Sequence, residues 1–238
     1  MNQLLTTLFA LVVASATGFA HAQAAPAAPA APAAQPAAPA QPAGAKSLEA
    51  KVAMCLGCHN IRGYQASFPE VHRVPMLAGQ SAGYIEAALA AYKGGERKHP
   101  TMRGIADALT DQDIKDIAGW YAKLGQEGAA PLADKPSREP SPQVAALLQK
   151  AACVSCHGAN FSKPIAPNYP KIGGQHKDYL FVALKAYKTD NNAAVGRNNA
   201  IMGSIAKQFS TAELKALADY IGTLEGDLKT VPENRFRH

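Results

Sequence analysis

Two C-x-x-C-H runs, Cys55–His59 and Cys153–His157, constrain this chain more than any other feature of its sequence. C-x-x-C-H is the attachment signature of a c-type haem. Two thiols on adjacent helical turns can form thioethers to the vinyl groups of one porphyrin, and the histidine that follows can then ligate the iron. The two runs use all four cysteines of the protein. The sequence therefore predicts two covalently bound haem c groups.

Two other interpretations of the cysteines fit the pattern less well. A redox dithiol has the C-x-x-C spacing but does not require the histidine. A zinc site needs two C-x-x-C pairs at short spacing, whereas these pairs are about 100 residues apart. The histidine after each pair favours haem over both alternatives.

An internal repeat extends well beyond the cysteines. The matched segments are Pro75–Gln80 and Pro170–Gln175, Ala91–Lys93 and Ala186–Lys188, and Met102–Ala106 and Met202–Ala206. The offset between the copies drifts from 95 to 100 residues, which indicates loops of unequal length. We predict a first domain over residues 46–125, an interdomain linker over 126–142 and a second domain over 143–230.

Each half of the repeat predicts three main helices around one haem, and no segment shows a convincing strand pattern. The first helices, Leu48–Cys58 and Gln143–Cys156, carry the cysteines. The second helix of the first half spans Ala82–Lys93 and is ended by two glycines. The third helices begin with capping-box signals, at Thr110 with Asp113 and at Ser210 with Glu213. The fold class predicted is all-α, in two similar tandem lobes.

The sixth ligand of each iron separates a carrier from an enzyme, because an iron with a single histidine has an open site. Met102 and Met202 occupy equivalent places in the repeat, in what we predict to be loops before the third helix. A lone methionine is usually core filler, but two at matching positions indicate ligands. Met76 is the main competitor in the first half, and its counterpart in the second half is Lys171.

Ligation by two histidines is the alternative at each iron. The remaining histidines of the two halves do not match one another, so we interpret them as surface or loop residues: His72, His99 and His176. Pro75 and Pro170 recur after each haem motif. A carbonyl there could accept a hydrogen bond from the Nδ1–H of His59 or His157 and fix the imidazole ring.

The N-terminal residues predict export. Residues 4–20 form an apolar run of signal-peptide length, and Ala20–Ala22 fits a small-x-small cleavage site. We predict a signal peptide over 1–22 and a disordered Ala/Pro-rich linker over 23–45. An uncleaved membrane anchor is the alternative. Either way the lobes face the periplasm, where c-type haem is attached.

Charge argues against a nucleic-acid partner. The formal net charge is +6 and the pI is about 9.1, but the basic residues are dispersed along the chain. We expect redox proteins as partners, and a mildly basic carrier favours an acidic docking patch chiefly through the association rate.

Residues 46–226 resemble the cytochrome c4 family, in which two class I cytochrome c domains are fused in tandem. The shared features are C-x-x-C-H, a P-x-[LI]-x-G-Q segment and a methionine before the last helix. The resemblance implies a periplasmic dihaem carrier, often held near the inner membrane, between quinol–cytochrome c reductase and a terminal haem–copper oxidase. The family pattern carries over as Cys55, Cys58, His59 and Met102 for one haem, and as Cys153, Cys156, His157 and Met202 for the other.

Three functions compete at this point. The first is a dihaem electron carrier with no catalytic activity of its own. The second is an electron-transfer subunit of a dehydrogenase complex, which would use the same lobes. The third is a dihaem peroxidase, which needs one iron with an open or releasable site, and the paired methionines argue against it. The sequence favours the carrier.

Overall fold

The computed structural model describes residues 46–233, all of which belong to one compact unit. The predicted signal peptide, 1–22, and the predicted linker, 23–45, lie outside the described residues. The helices of the first half are α1 (Leu48–His59), α2 (Ala82–Gly94), α3 (Pro100–Asp107) and α4 (Asp111–Lys123). Those of the second half are α5 (Pro142–Lys150), α6 (Val154–His157), α7 (Lys177–Ala186), α8 (Ala200–Ala206) and α9 (Thr211–Ile221). The all-α class is confirmed.

Two short antiparallel strand pairs accompany the helices. β1 (Gln65–Ala66) pairs with β2 (His72–Arg73), and β3 (Arg97–Lys98) pairs with β4 (Gly196–Arg197). The second pair joins the two halves of the repeat. The sequence predicts no strand, because a pairing of two residues is too short to show an alternating pattern.

The last helix of each half forms as its sequence predicts. Thr110 accepts a hydrogen bond from the backbone N–H of Asp113, whose carboxylate accepts one from the Thr110 backbone. Ser210 and Glu213 form the same capping box at α9. Each of these helices buries one apolar stripe: Ile114, Ile117, Ala118 and Tyr121 in α4, and Leu214, Leu217, Ala218 and Ile221 in α9. Each stripe belongs to the hydrophobic core of its own half.

The helix predicted over Gln143–Cys156 is wrong as a continuous element. Ala152 has a φ of +48°, a left-handed conformation that ends the helix. The N–H of Cys153 then bonds to the carbonyl of Leu148 at 3.2 Å, the six-residue closure of a Schellman motif. The chain resumes as α6, one turn that carries Cys156 and His157. In the first half, α1 runs unbroken to His59.

Candidate haem sites

A cavity of about 350 Å³ in the first half brings together the four residues predicted to hold a haem. Cys55, Cys58 and His59 reach it from the end of α1, and Met102 reaches it from α3. Apolar side chains of α2 and α4, among them Ile85 and Ile117, complete the wall. The packing of α2 on α4 therefore forms the body of the cavity.

The second half contains an equivalent cavity of about 360 Å³. Cys153, Cys156, His157 and Met202 line it, with apolar residues of α7 and α9. Within the described residues that line this cavity, His157 is the only histidine. The repeat thus places the same four side chains, two cysteines, a histidine and a methionine, around each of two cavities.

Each motif histidine is oriented by the backbone of the repeated proline. Nδ1 of His59 lies 2.8 Å from the carbonyl oxygen of Pro75, and Nδ1 of His157 lies 3.0 Å from that of Pro170. These bonds confirm the predicted ring contacts. Burial lowers the pKa of both imidazoles, although the bonds to the prolines act in the opposite sense. A neutral imidazole with its proton on Nδ1 leaves the Nε2 lone pair free for a metal ion.

The two methionines lie on short helices, so their prediction as loop residues is wrong. Met102 is the third residue of α3 and Met202 the third residue of α8. The N-cap side chain of each helix accepts a hydrogen bond from the methionine N–H, at 3.4 Å for His99 and 2.9 Å for Asn199. The first turn of a capped helix therefore positions each thioether. Met76 is absent from the described lining of the first cavity.

Neither Cys55 nor Cys153 has the lowered pKa of a reactive redox thiol. Burial raises the pKa of Cys55 to about 11, and burial also raises the pKa of Cys153. A reactive dithiol requires a thiolate, which a lowered pKa provides. The pKa values of Cys55 and Cys153 are raised instead.

Two arginines, missed by the sequence analysis, lie between the cavities. Arg97 of β3 and Arg197 of β4 are paired across the strands that join the halves. Arg97 donates to the hydroxyl of Tyr84 at 3.0 Å, and Arg197 donates to the hydroxyl of Tyr179 at 3.0 Å. Each guanidinium also lies over the rings of two tyrosines of its own half. The two arginines and the two tyrosines that they donate to, Tyr84 and Tyr179, line both cavities.

This arginine–tyrosine cluster has excess positive charge. Across residues 46–233, no carboxylate is within ion-pair distance of either guanidinium. Arginine stays protonated, and placing two cations together away from bulk water is costly unless anions compensate them. Haem carries two propionate carboxylates, so the cluster fits the acidic edges of two haems. The cysteines, the oriented histidines and the apolar walls fit the rest of the group.

The first cavity has an additional wall that the second lacks. The hairpin formed by β1 and β2 contributes Phe68 and His72 to its lining. His72 is 5% exposed, its Nδ1 lies 2.8 Å from the carbonyl oxygen of Glu70, and its ring faces Tyr179. The interpretation of His72 as a surface residue is therefore wrong. His99 and His176 are half-buried N-cap residues of α3 and α7.

Comparison with known proteins identifies the family. Residues 143–225 match the family model of cytochrome c. A cytochrome c4 from Stutzerimonas stutzeri is 29% identical over 93% of this chain and 98% of its own length. A cytochrome c4 from Thiocapsa roseopersicina is 32% identical over 73% of this chain and 88% of its own length. This chain belongs to the cytochrome c4 family. The resemblance in the sequence analysis is thereby confirmed.

Cytochrome c4 is also found among the similar solved structures. The Acidithiobacillus ferrooxidans cytochrome c4 matches with a TM-score of 0.54 at 26% identity, covering 73% of this chain and 99% of that one. A thiosulfate dehydrogenase electron acceptor from Stutzerimonas stutzeri (strain A1501) is 30% identical over 71% of this chain and 78% of its own length. The match over 99% of the solved cytochrome c4 assigns the class I cytochrome c fold to both lobes.

Membership of the cytochrome c4 family makes this chain a dihaem electron-transfer cytochrome with covalently bound haem c. Cytochrome c4 proteins are electron carriers, so this chain is a carrier and not an enzyme, and its partners are redox proteins. No helix within residues 46–233 is both long and apolar enough to cross a membrane.

Proposed function

We propose that His59 and Met102 ligate the iron of the first haem, and that His157 and Met202 ligate the iron of the second. The observation that carries this proposal is that the histidine and methionine of each repeat line the same cavity. Cys55 with Cys58, and Cys153 with Cys156, supply the thioether bonds. The proposed domains keep the boundaries 46–125 and 143–230, joined by the linker 126–142.

The first iron has competing histidines, because His72 and His99 also line the first cavity. Nδ1 of His99 accepts from the Met102 N–H, which puts the proton of the neutral ring on Nε2. Nδ1 of His72 contacts the Glu70 carbonyl and leaves Nε2 free, as in His59, so hydrogen bonding does not decide against His72. The second cavity has a methionine at the equivalent place but no equivalent histidine in its described lining. We therefore assign Met102 as the ligand by the symmetry of the repeat.

Ligation by histidine and methionine at both irons suits one-electron transfer. Methionine ligation raises the potential of a haem. An iron that keeps two protein ligands in both oxidation states changes little in structure on reduction, and it offers no open site to oxygen or peroxide. The shared arginine–tyrosine cluster brings the edges of the two cavities to one place, which favours electron exchange between the haems.

The partners we propose are quinol–cytochrome c reductase as donor and a terminal haem–copper oxidase as acceptor. The second candidate is an electron-transfer subunit of a dehydrogenase complex, and the similarity to a thiosulfate dehydrogenase electron acceptor favours it. Both functions place the protein in the periplasm, exported by a signal peptide over 1–22. If that segment is retained, it and the linker 23–45 would tether the lobes to the inner membrane.

An optical spectrum of the holoprotein tests the ligand assignment. The oxidised and reduced forms are recorded with and without carbon monoxide. We expect two c-type haems per chain, a methionine–iron charge-transfer band in the oxidised form and no response to carbon monoxide. A response at either haem would refute the proposal for that iron and return the peroxidase to consideration.

A purification from the native organism tests the partners. A monomer that accepts electrons from quinol–cytochrome c reductase and passes them to an oxidase supports the shuttle. A dehydrogenase that remains bound through several columns would replace the shuttle with the subunit function.

A further inference from the structure

The segment after α9 begins on its own half, where Asp227 pairs with Lys171 at 2.7 Å, and then crosses to the first half. Leu228 of this crossing segment, residues 226–233, is only 6% exposed. The N–H of Lys229 donates to the carbonyl of Ala78 at 3.0 Å, and the Lys229 ammonium donates to the carbonyl of Gly125 at 2.7 Å. The carbonyl of Val231 accepts a hydrogen bond from Nδ2 of Asn60 at 2.6 Å.

Two glycines of the first half make room for this segment. A Cβ on Gly79 would lie 2.5 Å from the carbonyl oxygen of Asp227, and one on Gly125 would lie 2.8 Å from Cγ2 of Val231. Both glycines have positive φ, +84° and +68°, so another residue would also be strained there. The close approach indicates a contact built into the first half.

The crossing segment connects to the first haem cavity through Asn60. This residue follows His59 directly and is 4% exposed. Its Oδ1 accepts a hydrogen bond from the hydroxyl of Tyr121 at 2.8 Å. Tyr121 is itself 1% exposed and lines the first cavity. Val231, Asn60 and Tyr121 therefore form one hydrogen-bonded chain from the crossing segment to the first haem site.

The second half also binds a segment from the other half through a buried asparagine, but no tyrosine hydroxyl takes part there. Asn160, also 4% exposed, donates to the carbonyl of Ala133, which lies in the linker after α4. Its Oδ1 accepts from the backbone of Ser162 and Lys163 and not from a tyrosine. Ile221 lines the second cavity at the position that corresponds to Tyr121. Each half thus receives the segment that follows the last helix of the other.

We infer that Asn60 and the crossing segment are positioning elements of the first haem site. Val231 holds the Asn60 amide, which in turn holds the hydroxyl of Tyr121 as a donor pointing to Oδ1. Without that acceptor the hydroxyl must turn towards another partner or recruit water. A more polar and more hydrated haem site favours the oxidised iron, so the potential of the first haem falls. This inference rests on the proposed function, which places a haem in that cavity.

The test is a redox titration of the holoprotein in which the two haems are followed separately. Proton NMR resolves the axial methionine signals, which Met102→Ala and Met202→Ala assign to the two lobes. Absence of the Met102 signal in the parent protein would refute the ligand assignment before any test of positioning. Asn60→Ala is expected to lower the potential of the first haem alone. Asn160→Ala is the matched control and leaves the first haem unchanged.

Two truncations separate the crossing segment from Asn60 itself. Deletion of residues 230–238 removes Val231 but keeps Leu228, and it should lower the first potential as Asn60→Ala does. Deletion of 234–238 leaves Val231 in place and should have no effect. In a Tyr121→Phe background, Asn60→Ala should add no further shift, because the hydroxyl that it positions is already absent. A deletion of 230–238 that shifts the second haem, or neither haem, would overturn the inference, as would a deletion of 234–238 that lowers the first potential.

Discussion

Gln80 holds the peptide of Lys171 with both ends of its side-chain amide. Nε2 donates to the Lys171 carbonyl at 2.9 Å, and Oε1 accepts from the Lys171 N–H at 3.0 Å. Gln175, in the second half, makes the same pair of bonds to the backbone of Met76 in the first half, both at 3.0 Å. The two glutamines are 3% and 4% exposed. The halves are therefore locked in one register by reciprocal bonds that neither half can satisfy alone.

Loss of either glutamine should weaken the association of the halves. Gln80→Ala or Gln175→Ala leaves a half-buried backbone donor and acceptor without their side-chain partners, and the cost of each group should stay below the ~1–3 kcal/mol of a fully buried one. Denaturant unfolding of the holoprotein measures the loss. Gln149→Ala, at an exposed position of α5, is the control and should change little. A loss no larger than that of the control would contradict the prediction.

Removal of an axial methionine should open one iron and leave both haems attached. Met102→Ala or Met202→Ala is expected to produce carbon monoxide binding at one haem per chain, and to lower the potential of that haem. Met76→Leu conserves volume and should bind no carbon monoxide. If Met76→Leu opened the first iron and Met102→Ala did not, the assignment in the first half would be reversed.

The cysteine pairs predict the haem stoichiometry. Cys58→Ser or Cys156→Ser removes one of two thioether bonds, and the covalent attachment of one haem should be impaired. The pyridine haemochrome spectrum per mole of chain measures the amount of bound haem. Ser155→Ala, inside the second motif but not a thioether position, should retain both haems.

The arginine–tyrosine cluster predicts a joint effect on both potentials. Arg97→Met removes a cation that lines both cavities, so the oxidised irons lose a repulsive charge and both potentials should fall. If haem propionates compensate the guanidinium, its loss also destabilises the holoprotein by about 3–5 kcal/mol. Arg103→Met is the control, because Arg103 is exposed and pairs with Asp107 on α3. Unchanged potentials in Arg97→Met would show that the cluster does not face the haems.

Asp113 should contribute stability that is lost in acid. The bonds from Thr110, together with Lys51, lower the pKa of Asp113 from 3.8 to about 2. Because the folded pKa lies below the unfolded one, the stabilisation is complete above about pH 4 and disappears as the pH falls through 2. Asp113→Asn should therefore be less stable at neutral pH and vary less in stability between pH 4 and pH 2. Asp111→Asn, in the same helical turn, is the control for the denaturation midpoints.

The repeat made most of the fold and the candidate haem sites predictable. The motif cysteines and histidines, the capped last helices and the contacts of Pro75 and Pro170 depend on local patterns that occur twice. The features that the sequence does not predict depend on the conformation of a single residue or on pairing between distant residues. The left-handed turn at Ala152 is not predictable, because no glycine stands there. The strand pair that joins the halves is too short to predict, because it involves only two residues on each side.

The arginines were missed although the repeat contained a signal for them. Arg97 and Arg197 are separated by 100 residues, the same offset as Met102 and Met202. A charged residue inside a loop is usually solvated, so nothing in one copy predicts burial. Only the fold shows that the two copies meet at one place, where no carboxylate of residues 46–233 forms an ion pair with either guanidinium.

Because Asn60 binds Val231, the half of the protein that is synthesised first is not the half that is completed first. Ribosomes synthesise the first half before the second, and domains generally fold as units in that order. The Val231 carbonyl that Asn60 binds is synthesised 171 residues after Asn60. The second half receives its linker contact at Ala133 from residues that precede it. The lobe that is synthesised first is therefore completed after the second lobe, by residues that follow α9.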